Sequence, residues 1–237
     1  MTVLYSLHIP TLDKQRVPVK TLIEQLQTTP FNKKLIESHV ASIYLVSLLN
    51  EQTIHCRAYK DDDYSYQAIY VLQVTLKKND RLTDLSSQLH SAFAEPTILL
   101  YTTGSKEWIS AAPKRINKLD NTKTVLEDVV VQEIKTSFEQ YLDISHISAT
   151  DLKQYYLQIV NLVYQLSVYD LVHVFPSKDL DYKKIIKEYQ SHTSSILDLE
   201  DEYKHTYTKS KQLEIDDLIY EFECKRDTLI RLLKGEQ

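Results

Sequence analysis

At 237 residues and 27.7 kDa, with 43% hydrophobic and 26% charged residues, the chain is large enough to bury a core without disulfides or metal. Its only glycines, Gly104 and Gly235, exclude a G-x-G-x-x-G turn, a Walker loop and a G-x-S-x-G elbow, and with them the nucleotide-binding and hydrolase classes those motifs mark. The net charge of −5 hides an asymmetry: residues 1–123 carry 15 Lys and Arg against 12 Asp and Glu, whereas residues 124–237 carry 13 against 21, which disfavours tight direct binding to duplex DNA.

Thr21–Thr28, with Leu22, Ile23 and Leu26 on one side, reads as a short helix stopped by Pro30. A second helix is expected over 31–40, where Phe31 and Leu35 recur at helical spacing. Strands follow at 43–49, 53–59 and 66–77, the first two separated by a turn at Asn50–Gln52 and the last two by the charged tip Lys60–Asp63. Leu82, Leu85, Leu89 and Phe93 then mark a helix over 82–94, ending at Glu95-Pro96. Residues 97–102 form a buried strand and 107–111 its partner across Gly104-Ser105. The polar, basic 114–123 segment reads as a surface loop, and 125–134 as a further strand.

Everything after about Thr136 reads as helix. Ser148-x-x-Asp151 opens one as a capping box, and its apolar face runs from Leu152 to Tyr169. The expected architecture is α+β: an α/β-like mixed-sheet domain over 1–135 in the order α-β-β-β-α-β-β, then an all-helical region over 136–237. Within that region, Ile215, Ile219, Phe222, Leu229 and Leu233 form an apolar stripe interrupted by Arg226. Two arrangements account for it. In one, a short coiled coil over 194–234 joins a second subunit or a protein partner, with Arg226 setting register; in the other, a helical hairpin packs back on its own domain.

Cys56 and Cys224 are too few for a disulfide framework and too far apart in sequence for a CxxC zinc site, which suits a reduced, cytoplasmic compartment. Met1–Pro10 lacks the pattern of a signal peptide, and no apolar run approaches the roughly 20 residues of a membrane helix. The eight histidines nowhere fall at i, i+4, so no zinc site is spelled locally and no cofactor is expected. Seventeen tyrosines are many for this length, and tyrosine suits interfaces and core edges because it joins apolar area to a polar tip.

The α-β-β-β-α-β succession is also the element order of the restriction-endonuclease-like core. Active members hold divalent metals with an acidic residue near the second strand and an acid-x-Lys pair on the third. Here Lys77 stands where the lysine would be, but Thr75 replaces the acid, and Asp61, Asp62 and Asp63 precede the strand as the available carboxylates. A metal-dependent nuclease using these four residues is therefore the alternative to a non-catalytic role.

Gln15-Arg-Val-Pro18-Val-Lys20, Phe31-Asn-Lys-Lys-Leu-Ile-Glu37 running into Val40-Ala-Ser-Ile43-Tyr44, Leu49-Asn-Glu-Gln-Thr53-Ile54 and the strand ending Thr75-Leu76-Lys77 resemble the bacterial family catalogued as domain of unknown function 4391. The resemblance implies a companion of DNA methyltransferases and helicases in restriction-type phage-defence assemblies. It thus implies an accessory or scaffold subunit acting by protein–protein interaction and reaching nucleic acid only indirectly.

Overall fold

The computed structural model describes residues 3–26, 28–176 and 180–236. The chain divides into two compact units, Met1–Val163 and Tyr164–Gln237. The first is built on a six-stranded mixed sheet.

In chain order it contains α1 (Val3–Ser6), β1 (Gln15–Val17), α2 (Val19–Gln25), α3 (Pro30–His39), β2 (Val40–Leu49), α4 (Glu51–Ile54), β3 (Tyr59–Lys60), β4 (Ser65–Tyr66), β5 (Ile69–Leu76) and α5 (Leu82–Ser91). There follow β6 (Thr97–Thr103), β7 (Lys106–Ala111), β8 (Lys114–Asn117), β9 (Asp120–Leu126), β10 (Val130–Ile134) and a 3-10 turn, Thr136–Tyr141. The helix α6 (Leu152–Val172) runs across the division, and the second unit continues with α7 (Tyr182–His205) and α8 (Lys209–Lys234). No helix among the described residues is long and apolar enough to cross a membrane.

The main sheet has the order β1-β2-β5-β6-β7-β10, and every neighbouring pair is antiparallel except β5–β6. That parallel pair needs a crossover, which α5 supplies. At the sheet centre β6 is buried on both faces, Thr97 through Tyr101 being at most 2% exposed, which is why its sequence is a continuous apolar run and does not alternate. Leu22 and Ile23 of α2, Leu35 and Ile36 of α3 and Leu85 and Leu89 of α5 share a core with Ile43, Leu72, Val74, Leu99 and Tyr101 of the strands. Thr29 caps α3 by accepting from the Asn32 amide, and Pro30 at the first helical position leaves no orphan donor there. The expected helices at 31–40 and 82–94, and the strands at 43–49, 97–102 and 107–111, thus take their places in one mixed sheet. The helix expected over 21–28 is α2, starting two residues earlier; Gln27 lies outside the described residues.

The strand expected over 66–77 is β5 from Ile69 to Leu76, with Tyr66 belonging to the separate β3–β4 ribbon, and four further expectations need correction. The segment 53–59 is not a sheet strand: Asn50 forms a capping box with Thr53, its side chain accepting from the Gln52 and Thr53 amides while the Thr53 hydroxyl accepts from the Asn50 amide. These local bonds wind Glu51–Ile54 into α4, and only Tyr59–Lys60 is extended, paired with Ser65–Tyr66 in a separate ribbon. The segment 114–123 is not a plain loop but belongs to the β8–β9 hairpin, with Lys114 buried at its base. The strand over 125–134 is two strands, since Glu127–Val129 leaves β9 before β10 begins. Finally, helix does not run on from Thr136: Thr136–Tyr141 is a 3-10 turn, Leu142–Asp151 is irregular, and α6 starts at Leu152 because Asp151, and not Ser148, accepts from the Gln154 amide.

In the second unit α7 and α8 are 24 and 26 residues long, joined by Thr206–Thr208. So short a connection makes them antiparallel neighbours. Asp181 caps α7 through the Lys184 amide, and Gly235, in the left-handed region at φ 74°, closes α8 with its amide on the carbonyls of the last turn.

Candidate interaction surface

The four residues of the nuclease alternative do not converge. Asp61–Asp63 form the turn between β3 and β4, where Asp61 accepts from the Asp63 and Tyr64 amides and from the Tyr59 hydroxyl. The Tyr59 hydroxyl is the main influence holding the Asp61 carboxyl below its ordinary range, helped by those two amides and by the Lys153 ammonium. Asp63 pairs with Lys118 at 3.0 Å, and its carbonyl accepts from the Ile116 amide. Lys77 lies beyond the other end of β5, about 26 Å along an eight-residue strand. There its Nζ donates to the Glu37 carbonyl at 2.8 Å and its amide to the His39 carbonyl, so the lysine closes the C-terminal end of α3. Among the described residues no cluster of three or more His, Cys, Asp or Glu side chains is placed to hold a metal ion.

The stripe of α8 falls differently. Ile215 and Leu233 are buried and Ile219, Phe222, Arg226 and Leu229 half-buried, on the side of α8 that packs along α7. The Phe222 ring lies 5.6 Å from the His192 ring of α7. Arg226 pairs loosely with Glu223 of its own helix, at 4.0 Å. The six residues therefore form one side of a helical hairpin within this chain. What they leave outside is a second set of large apolar side chains: Leu213, Leu218, Tyr220 and Leu232 of α8 are 44–69% exposed, as is Leu197 of α7 at 59%, and Tyr207 in the connection is 95% exposed. Tyr220 stands beside Cys224, the exposed cysteine. The sequence pattern missed this outward set because it follows no single helical stripe.

A cleft of about 370 Å³ in the first unit also escaped the pattern. It is bounded by His8–Pro10, by Thr53–Cys56 and by Ser145 and Ile147–Ala149 with Tyr155. Two of its lining residues, His8 and His55, adopt left-handed backbone at φ 49° and 54°, unusual outside glycine. At its edge Asp143 accepts from the amide and hydroxyl of Ser145 and faces His8 at 3.2 Å and His146 at 3.4 Å. The Ser145 hydroxyl, first, and then the Ser145 amide and the two imidazoles keep the Asp143 carboxyl below its ordinary range. Cys56 is buried against the Ala149 carbonyl, and burial, reinforced by Asp151, pushes its thiol above its ordinary value, the opposite of what an activated thiolate needs.

The fold is thus an α+β mixed-sheet unit followed by a helical one, with an exposed apolar helical hairpin as its candidate surface. Residues 9–222 match the family described as Domain of unknown function (DUF4391), and the chain belongs to that family. No curated protein and no solved structure matches it.

Proposed function

We propose that this chain is a non-catalytic accessory or scaffold subunit that acts by protein–protein interaction through the α7–α8 hairpin. The setting is a restriction-type or phage-defence assembly of the bacterial cytoplasm. The observation that carries the reading is the outward apolar set. With the Ile215–Leu233 stripe already used inside the hairpin, Leu213, Leu218 and Tyr220 still face water over roughly half of their surface, and each leucine would gain about half of the 1.5–3 kcal/mol that full burial of such a side chain brings. The net charge of −8 over residues 124–237 supports a protein partner over phosphate, so nucleic acid would be reached only through that partner. The resemblance in the N-terminal segments supplies the setting, with a methyltransferase or helicase as the companion; a second copy of the chain is the other occupant the surface could take.

Light scattering on the purified chain, alone and mixed with a DNA methyltransferase or helicase from the same genome, tests the reading. The expected result is a complex or oligomer that Leu213→Glu with Tyr220→Glu disrupts while far-ultraviolet circular dichroism stays unchanged. A wild-type chain that remains a monomer in every mixture, or that cleaves DNA with magnesium, overturns it.

A further inference from the structure

His90 on the last turn of α5 and Lys114 at the start of β8 are buried together beneath the loop Ala92–Pro96. His90 is 0% exposed; its Nε2 lies 3.0 Å from the Ser110 hydroxyl of β7, and its Nδ1 is buried without a partner. Lys114 is 2% exposed, and its Nζ donates at 2.6 Å to each of the Phe93 and Glu95 carbonyl oxygens. The Glu95 carboxylate has a buried oxygen, Oε2, that no group satisfies. Among the described side chains of the β8–β9 hairpin only Lys114 is buried, so its ammonium is the hairpin's buried side-chain tie to the segment that follows α5, beside the packing of β9 on α5.

We infer that His90, Lys114 and Glu95 form an acid-released latch that holds the β8–β9 hairpin on α5. A neutral imidazole can sit beside the Lys114 ammonium; an imidazolium cannot, because it would place a second cation in the same dry site, whose lysine is already held by two backbone carbonyls. Burial first, and the Lys114 charge second, push the His90 pKa well below its ordinary value, so the closed state refuses a proton that the open state accepts near pH 6.5. The other elements packed on α5 are α3, β9 and β10, whose charged or titratable groups include Lys33, Lys34, Glu37, His39, Asp120, Lys123 and Glu133; the charge that acts on His90 is that of Lys114. Acidification from pH 6.5 to 5.5 therefore favours opening about fivefold, rising toward about tenfold per unit well below that range.

Hydrogen exchange read by mass spectrometry on the full chain at pH 7.5, 6.5 and 5.5, corrected for intrinsic exchange, tests the latch. Peptides covering 112–127 are expected to open about fivefold more at pH 5.5 than at 6.5, with β2 and β5 unchanged. His90→Gln keeps a hydrogen bond to Ser110 and cannot titrate, and His90→Leu removes the titrating group and its polar atoms together; either is expected to abolish the rise. An unchanged wild-type profile, a rise spread evenly over the whole sheet, or an equal rise in a folded His90 variant overturns the inference. The first two outcomes need no variant at all.

Discussion

The ammonium of Lys153, on the first turn of α6, lies 3.7 Å from the centre of the Tyr64 ring in the turn after β3. Tyr59 forms a second wall at 4.7 Å, and Asp61 Oδ2 stands 3.9 Å away. Together with the Leu152 amide, which donates to the Arg57 carbonyl, this cation fastens the β3–β4 ribbon to α6. The acidic turn is thus occupied in structure.

Lys153→Met should therefore destabilise the chain by about 1–2 kcal/mol, the range of a partly desolvated cation–π contact, and Lys153→Arg by clearly less, because a guanidinium also sits over aromatic faces. Urea unfolding midpoints at constant m-value measure both.

Tyr156 of α6 is fully buried, accepts from the Ala112 amide at 2.9 Å and donates to the Thr97 carbonyl at 2.8 Å, so one hydroxyl joins α6 to β6 and to the end of β7. Tyr156→Phe keeps the ring and leaves those two groups buried without a partner. A loss of about 1–3 kcal/mol is expected in chemical denaturation.

Burial pushes Lys114 down to about 7, with Glu95 opposing. The unfolded chain, holding its lysine near the ordinary value of about 10.4, binds more protons than the folded one above pH 7. Stability should consequently rise with pH from about 7 upward, the cost of the buried ammonium being fully present below 7 and relieved above it. Unfolding midpoints between pH 7 and 9.5 check the sign. That window stops short of the tyrosine range, where Tyr66, Tyr101 and Tyr156, all raised by burial, would reverse the trend. Lys114→Met should flatten the slope.

Phe222→Asp places a carboxylate against His192 and the apolar side of α7. The half-buried position predicts a loss of roughly 2–4 kcal/mol from the hairpin. Hydrogen exchange over 182–234 should rise accordingly, whereas Tyr220→Asp, on the outward side, should leave it nearly unchanged.

Much of the first unit was legible because local pattern and environment agree. The run Ile98–Tyr101 contains no polar residue and could only be a strand buried on both faces, and α3 and α5 carry their apolar positions three and four apart. The alternation over 53–59 misled because Asn50 and Thr53 satisfy each other's backbone groups within four residues, which outweighs a weak period of two. The buried Lys114 was illegible in a segment of lysine, arginine and asparagine, since the two carbonyls that receive it come from residues 93 and 95.

The candidate site divides the same way. That the stripe from Ile215 to Leu233 must be covered follows from sequence, because five large apolar residues on one helical side are costly in water. That α7 covers it, leaving Leu213, Leu218 and Tyr220 outside, depends on the Thr206–Thr208 turn folding α8 back along α7. The sequence likewise placed three aspartates before a strand and a lysine after it, but whether they meet is a matter of three-dimensional distance. The strand between them is eight residues long, so it holds them at its opposite ends. Helical and strand periodicity are local and follow from residue order; which groups become neighbours is set by chain reversals and by packing between distant segments, and those exist only in the folded molecule.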